Sequence, residues 1–215
     1  LISDISHQTK TPITNLVLYS GLLGEQKELS PYSRNLVEEV IKQSEKLNFL
    51  VGSLIKSSRL ESGIINVHPT ENSIDELVND AIKQVEMEAE NKQILITNKN
   101  TGLTFKFDYK WTLEAIYNIL DNAVKYTPEC GEIYIGVESY ELFYRISIKD
   151  NGIGIEEAEQ SKVFSRFYRS KNVADKEGVG IGLYLSKEII EKQGGYIKIN
   201  SVLGMGATFS IFLPK

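Results

Sequence analysis

Asparagine, lysine, arginine and closely spaced glycine are residues that hold phosphate, and this chain gathers them in a few short runs. "NILDNAVKYTP" sets Asn118 and Asn122 four residues apart on one helical face, with Lys125 one turn on. Amide oxygens beside a lysine suit a magnesium ion and the phosphates it bridges; two asparagines on a helix surface are the plain alternative. "DNGIGI" (150–155) and "GVGIGL" (178–183) carry glycines at alternate positions, which lets the backbone come close to a ligand. A helix starting at Gly180 or Gly182 would turn free N–H groups outward, where phosphate can sit. Each glycine pair alone reads as a turn. "VFSRFYRS" offers Arg166 and Arg169 beside Phe164 and Phe167, either as guanidinium partners for a terminal phosphate or as a surface helix end with aromatic anchors. No GxxxxGK[ST] and no GxGxxG occurs.

A nucleophile is the missing part, and "SDISHQTKTPITNL" holds one of the chain's two histidines, His7. An unperturbed imidazole has a pKa of about 6.5, so near neutral pH it is mostly uncharged with a free ring nitrogen. Phosphoryl transfer asks mainly for alignment and charge stabilisation. His7 lies off the stripe Ile2–Ile5–Pro12–Leu16, which leaves it exposed. Pro12 has no N–H to give the carbonyl of Gln8, so a bend is expected just past His7.

The elements that must position these groups fall into two textures. Residues 1–62 carry no strand signal. Ile2, Ile5, Pro12, Leu16, Tyr19 and Leu23 recur at helical steps, "KELSP" interrupts, and Leu36, Val40, Leu47, Leu50 and Leu54 form a second stripe. Ser30 followed by Pro31 reads as a helix cap with proline at the first helical position. Two helices cannot bury two such stripes between them, so a dimeric four-helix bundle is expected; packing on the rest of the chain is the alternative.

From residue 63 the texture is α/β. "GIINVHPTE", "QILITNK", "LTFKF", "GEIYIGVESY", "LFYRISIKD", "YIKINSV" and "ATFSIFLP" read as strands. Ser73 and Asp108 cap the helices "SIDELVNDAIKQVEMEAENK" and "WTLEAIYNILDNAVKY", and "IGLYLSKEIIEKQGG" is a third helix. Several strand pairs are joined directly, which predicts a mixed sheet with helices on one face, a two-layer α/β sandwich. "KNVADKEG" (171–178) has no periodicity and reads as a mobile loop, a lid.

Composition excludes several classes. The 215 residues are 41% hydrophobic and 25% charged with a net charge of −5, and no basic stripe for nucleic acid appears. The single Cys130, in "TPECGE", permits no intrachain disulfide, and with His7 and His68 far apart there is no zinc ligand set. No apolar run reaches the roughly 18 residues of a membrane span. The chain begins at Leu1 and its only methionines are Met87 and Met205, so it reads as a fragment of something longer, with room for a membrane span in the missing N-terminal part.

An Asn box, DxGxG, an F/R box, GxGxGL and the late "GMGATF" occur in this order. Together they resemble the catalytic ATP-binding domain of sensor histidine kinases, of the Bergerat-type fold shared with gyrase, the Hsp90 chaperones and MutL. The first domain, 1–62, resembles the dimerisation and histidine-phosphotransfer domain of the same kinases, and the second, 63–215, the ATP-binding domain. The resemblance implies ATP and Mg2+, autophosphorylation on His7, a homodimer through residues 1–62, and transfer to an aspartate of a cognate response regulator. By motif position it implies that Asn122 coordinates magnesium with Asn118 nearby, that Lys125 touches phosphates and Tyr126 the adenine, and that Asp150 accepts the adenine amino group. Gly152 and Gly154 would admit the base, and Arg169 would reach the γ-phosphate. Gly178, Gly180 and Gly182, with Leu183, would form the lid hinge and phosphate loop. Thr208 would line the adenine pocket, and Thr11 would orient water for dephosphorylating the regulator.

Two positions qualify that picture. Hydrolysing relatives have a glutamate where this chain has Asn118, and an amide has no useful basicity; the domain should hold ATP without wasting it. The family usually has Glu or Asp directly after the histidine, where this chain has Gln8, which can accept a hydrogen bond but not a proton. The alternatives are a kinase-poor nucleotide switch acting mainly as a regulator phosphatase, and an ATPase of the gyrase or chaperone class.

Overall fold

Serine before proline decides where the N-terminal hairpin turns. Ser30 Oγ accepts the Ser33 N–H at 3.1 Å, and helix α2 runs Pro31–Glu61, with proline where its missing N–H costs nothing. The preceding helix, α1 (Ile2–Gly24), continues through Pro12. Its C-terminal carbonyls lack helical donors, and the Arg34 guanidinium supplies them, donating to Gly24 O at 3.1 Å and Gln26 O at 3.4 Å. In this computed structural model the chain divides into two compact units, Leu1–Ile65 and Asn66–Lys215. The structure describes residues 2–26, 29–61, 67–170, 173 and 180–215, without the side chains at 2–11, 53, 56, 57 and 59–61.

Within the hairpin, Ile13, Ser20 and Ser44 are buried, and a Cβ on Gly24 would stand 3.5 Å from Val37. Val17, Val37, Ile41, Leu50, Val51 and Ile55 are half-buried. Leu16, Tyr19 and Leu23 on α1, and Leu36, Val40, Leu47 and Leu54 on α2, remain exposed. These stripe positions are left open rather than packed between α1 and α2; the side chains of Ile2 and Ile5 lie outside the described ones.

In the second unit the capping residues set the helix starts as expected. Ser73 accepts from Glu76 N–H and α3 spans Ile74–Asn91; Asp108 accepts from Trp111 N–H and α4 spans Tyr109–Tyr126. Strands β2 (Leu95–Asn98), β4 (Glu132–Ser139), β5 (Phe143–Asp150), β7 (Ala207–Pro214) and β6 (Tyr196–Ser201) form one sheet in that order. The β2–β4 pair is parallel and the rest antiparallel, the expected mixed sheet. Ile135, Ile148, Phe209 and Ile199 lie opposite one another across four strands. Alternation turns this row and its neighbours to one face, where α3, α4 and α6 (Gly182–Lys192) bury their apolar sides; the one-turn α5 (Glu157–Gln160) buries none of its residues. Each fully buried Ile or Leu here stabilises by about 2 kcal/mol.

The expected strand "GIINVHPTE" (63–71) meets the structure only at its end: β1 is Thr70–Ser73, antiparallel to β3 (Thr104–Phe107). Residues 67–69 form no element, and 62–66 lie outside the described residues. His68 is not a strand residue; its N–H donates to Asp108 Oδ2 at 2.8 Å. Polar β1 is held by its ladder and by Asn72 Nδ2, which donates to Phe107 O at 2.9 Å. Among the described residues no helix is long and apolar enough to cross a membrane.

Candidate functional site

Strand β5 ends at Asp150, on the same face as Ile146 and Ile148, so its carboxylate enters the helix side of the sheet. It is only 6% exposed. Oδ1 accepts the N–H groups of Gly152 at 2.9 Å and Ala207 at 3.2 Å. Burial pushes the carboxyl up from its ordinary value, and those backbone donors act against the rise. A half-satisfied buried carboxylate is an acceptor waiting for a donor.

Three segments interlock around it. Tyr126 O, at the end of α4, accepts Ile153 N–H at 3.3 Å. A Cβ on Gly152 would stand 2.6 Å from that same oxygen, so only glycine lets the loop lie against the helix end. Gly206, at φ +85°, occupies left-handed backbone, and a Cβ there would run into the Asp150 carbonyl. Gly204 N–H donates to Ile153 O at 2.7 Å and Ile155 N–H to Ser201 Oγ at 2.8 Å. Gly154 lies against the Val202 carbonyl.

The other side of the notch belongs to α4 and α6. Asn122 Nδ2 donates to Asn118 O at 2.7 Å. Asn118 Nδ2 is buried without a hydrogen-bond partner, and Asn118 Oδ1 would stand 3.3 Å from a Cβ on Gly182, the first residue of α6. That helix start, which carries Leu183 in its first turn, has no side-chain cap. Ser186 Oγ donates to Ala115 O and Gly182 O, at 3.1 and 3.0 Å, and stitches α6 to α4. Gln193 continues the seam, accepting Asp108 N–H at 2.8 Å and donating to Thr112 Oγ1 at 3.1 Å. An uncapped N-terminus beside an unpartnered amide is a place for an anion.

Cations and aromatics meet at the end of α4. Lys125 Nζ stands 5.5 Å from the Tyr126 ring centre. Burial raises the Tyr126 hydroxyl, and the Arg169 charge opposes that rise, so Arg169 is within electrostatic reach. Arg169 also donates to Val173 O at 2.7 Å, and Arg166 stacks over Tyr184, 4.6 Å from its centre. Phe167, at φ +60°, gives its N–H to Gly180 O at 2.8 Å.

The structure thus brings together Asn118, Asn122, Lys125, Tyr126, Arg169 and Gly182 on one side, and Asp150, Gly152 and Gly154 on the other. Thr208 is separate from Asp150. It pairs with Lys149 and Asn200, and alternation turns it from the face that buries Phe209. Its neighbour Ala207 is the residue that touches Asp150, and no spacing rule in the sequence singles it out. Gly178 and nearly all of the loop 171–178 lie outside the described residues. His7, Gln8 and Thr11 lie on α1, and their side chains are outside the description.

A family model described as the histidine kinase-, DNA gyrase B- and HSP90-like ATPase matches residues 107–215. The His Kinase A (phospho-acceptor) domain matches residues 1–63. The chain is similar to the sensor-like histidine kinase SenX3 of Mycobacterium tuberculosis, 29% identical over 216 residues, covering 99% of this chain and 53% of that protein. It is also similar to the sensor protein SrrB of Staphylococcus aureus, 31% identical over 222 residues, covering 100% of this chain and 37% of that protein. The chain therefore spans about half or less of these curated relatives. Among solved structures, full-length ShkA in complex with AMPPNP superposes with a TM-score of 0.84 at 24% identity, over 99% of this chain and 45% of that one. The Acinetobacter baumannii histidine kinase AdeS gives 0.70 at 20% identity, over 97% of both chains; these two likenesses concern the fold. The catalytic domain of histidine kinase ThkA gives 0.60 at 27% identity, over 69% of this chain and 98% of that one.

Proposed function

This chain belongs to the sensor histidine kinases of two-component systems, and on that premise we propose that it binds Mg-ATP, phosphorylates itself on His7 and hands the phosphoryl group to an aspartate of a response regulator. Residues 1–62 act as the dimerisation and phosphotransfer domain and 63–215 as the ATP-binding domain. The observation that carries the reading is Asp150. A buried carboxylate, held on one oxygen by two backbone N–H groups and walled by glycines, offers its remaining acceptor capacity to an amino group such as that of adenine. The uncapped start of α6 and Lys125 suit the phosphates.

In the transfer, a lone-pair nitrogen of His7 attacks the γ-phosphorus. The N–P bond forms as the bond from γ-phosphorus to the β,γ-bridging oxygen breaks, and ADP leaves. The other ring N–H becomes acidic in the product, and the Gln8 amide oxygen can hold it by a hydrogen bond without taking the proton. The regulator's aspartate then attacks phosphorus, an O–P bond replaces the N–P bond, and His7 returns neutral.

Magnesium fits the residues present. The Asn122 amide nitrogen is engaged with Asn118 O, which leaves its oxygen for a hard cation. Among the described residues no group of three or more His, Cys, Asp or Glu could hold a metal; Asn122 would hold the ion together with water and nucleotide oxygens. Bound there, magnesium neutralises phosphate charge.

Asn118 argues against the ATPase alternative, because its amide cannot activate water. The exposed rows Leu16–Leu23 and Val40–Leu47–Leu54 support pairing of two copies. The relatives, named as sensors, are about twice as long as this chain or longer, which supports reading it as the kinase portion of a longer sensor. Incubation with γ-labelled ATP tests the reading: acid-labile, base-stable label is expected on the wild type and none on His7→Ala. Tight ATP binding without label would favour the phosphatase switch. Steady hydrolysis unaffected by His7→Ala would overturn the kinase reading in favour of an ATPase.

A further inference from the structure

The last carbonyls of a helix have no helical donors, and at the end of α4 every one of them has an identifiable partner. Ala123 O accepts Thr127 N–H at 3.0 Å, and Tyr126 O accepts Ile153 N–H at 3.3 Å. Val124 O, Lys125 O and Thr127 O accept from one side chain, the ammonium of Lys92, at 2.6, 3.1 and 2.5 Å. An ammonium has three protons, matching the three carbonyls, and each bond is charge-assisted. Lys92 is the residue that ends α3. Its own carbonyl accepts Cys130 N–H at 2.9 Å, so the same residue also holds the turn that follows α4.

We infer that Lys92 is a positioning residue for the nucleotide site: its ammonium fixes the last turn of α4, and through it Lys125, Tyr126 and the Tyr126 carbonyl on which the 150–155 loop rests. The inference stands on the ATP reading of that site. Its three bonds to this turn all go to backbone carbonyls, so it acts on the site by holding the backbone. The carbonyls it holds flank the Tyr126 carbonyl, whose 2.6 Å clearance from a Cβ at Gly152 leaves the loop little slack. A shift of the last turn by a fraction of an ångström moves the phosphate-side lysine and the wall of the Asp150 notch together.

A structural anchor that did nothing for the site would lower stability and leave affinity alone, so the test needs a matched control. Asp75 supplies one: it accepts the N–H groups of Thr101 and Gly102 at 2.7–3.0 Å, away from the α4 end. The experiment measures Mg-ATP affinity by calorimetry and melting temperature in the full chain for wild type, Lys92→Met and Asp75→Ala. The expected result is a Kd about tenfold higher in Lys92→Met, from the loss of charged hydrogen bonds, and an unchanged Kd in Asp75→Ala despite a lower melting temperature. Lys92→Arg, which keeps charged donors, is expected to recover most of the affinity. If Lys92→Met does not fold, Lys92→Gln, with one neutral donor group, carries the same prediction at smaller size. An unchanged Kd in the Lys92 variants overturns the inference, and so does an equal loss in Asp75→Ala. A wild-type chain that binds no ATP overturns instead the nucleotide reading beneath it.

Discussion

The hairpin and the α/β unit use their apolar residues in opposite ways. In the α/β unit, Ile116, Ile119, Ile133, Ile148, Ile189 and Ile211 are at zero exposure, and a carboxylate, Asp150, is buried among them with one oxygen held by two backbone N–H groups. In the hairpin, among the described residues, Ile13 is buried while Leu16, Leu18, Tyr19, Leu22 and Leu23, with Leu36, Val40, Leu47, Phe49 and Leu54, stand exposed. One unit closes its apolar residues around a buried carboxylate; the other, among the described residues, leaves most of its large apolar side chains on the surface. The same kind of substitution should therefore have different consequences in each.

The largest effect is expected where the apolar surface is incomplete. Leu47→Glu places a carboxylate on the face through which two copies would pair, twice per dimer. An uncompensated buried charge costs several kcal/mol, which should raise the dimer dissociation constant about a thousandfold. Sedimentation equilibrium at micromolar concentration checks it, with circular dichroism to confirm that helix content persists. A variant as dimeric as the wild type would mean that this face is not the pairing face, and the comparison would lose its first half.

Asp150→Asn tests the second half. Asparagine keeps an oxygen for the Gly152 and Ala207 N–H groups but loses the charge that strengthens a bond to an amino group. Hydrogen bonds to charged groups are worth about 1.5–3 kcal/mol, so ATP affinity should fall about thirtyfold. Stability should move the other way. Burial raises the Asp150 pKa above its ordinary 3.8, so the carboxyl's contribution to folding is full below that ordinary value and is lost as pH rises through the raised value. Without nucleotide, Asp150→Asn should therefore melt higher than wild type near neutral pH, with the gap closing below about pH 4. Melting curves across that range decide the matter; a variant less stable than wild type near neutrality would show that the charge is not under strain.

Helix starts were legible because local chemistry dictates them, whereas Asp150 was singled out only through the order of motifs on which the family resemblance rests. Asp108 and Ser73 cap the helices that their sequence positions announce, and alternating glycine marks the loop that must clear the Tyr126 carbonyl. What required the structure was register and distance. The polar run "TENS" carries no apolar alternation, yet it forms β1, because the ladder to β3 and the Asn72 side-chain bond to Phe107 O hold it. Thr208 and Ala207 are adjacent in "GATF", and only strand alternation separates the one that meets Asp150. Lys92 reads as an ordinary basic residue ending a helix, since the carbonyls it holds lie more than thirty positions onward.

The smallest effect expected is the mirror of Asp150→Asn. On the proposed reading, the α/β unit uses a carboxylate where an amide would serve less well; beside His7 the hairpin has an amide, Gln8, where a carboxylate could serve. Gln8→Glu should speed autophosphorylation, because a carboxylate can stabilise the imidazolium character that develops as the N–P bond forms. For a surface pair that stabilisation is at most about 1 kcal/mol, so the rise should not exceed about fivefold, and it should shrink with added salt. Initial rates of label incorporation at saturating ATP isolate the step from binding. A rise that survives salt would place the pair out of water. An unchanged or slower rate would mean that the amide already suffices, and that holding the imidazole in one tautomer, which Gln8 can do with its oxygen, matters more at His7 than accepting its proton.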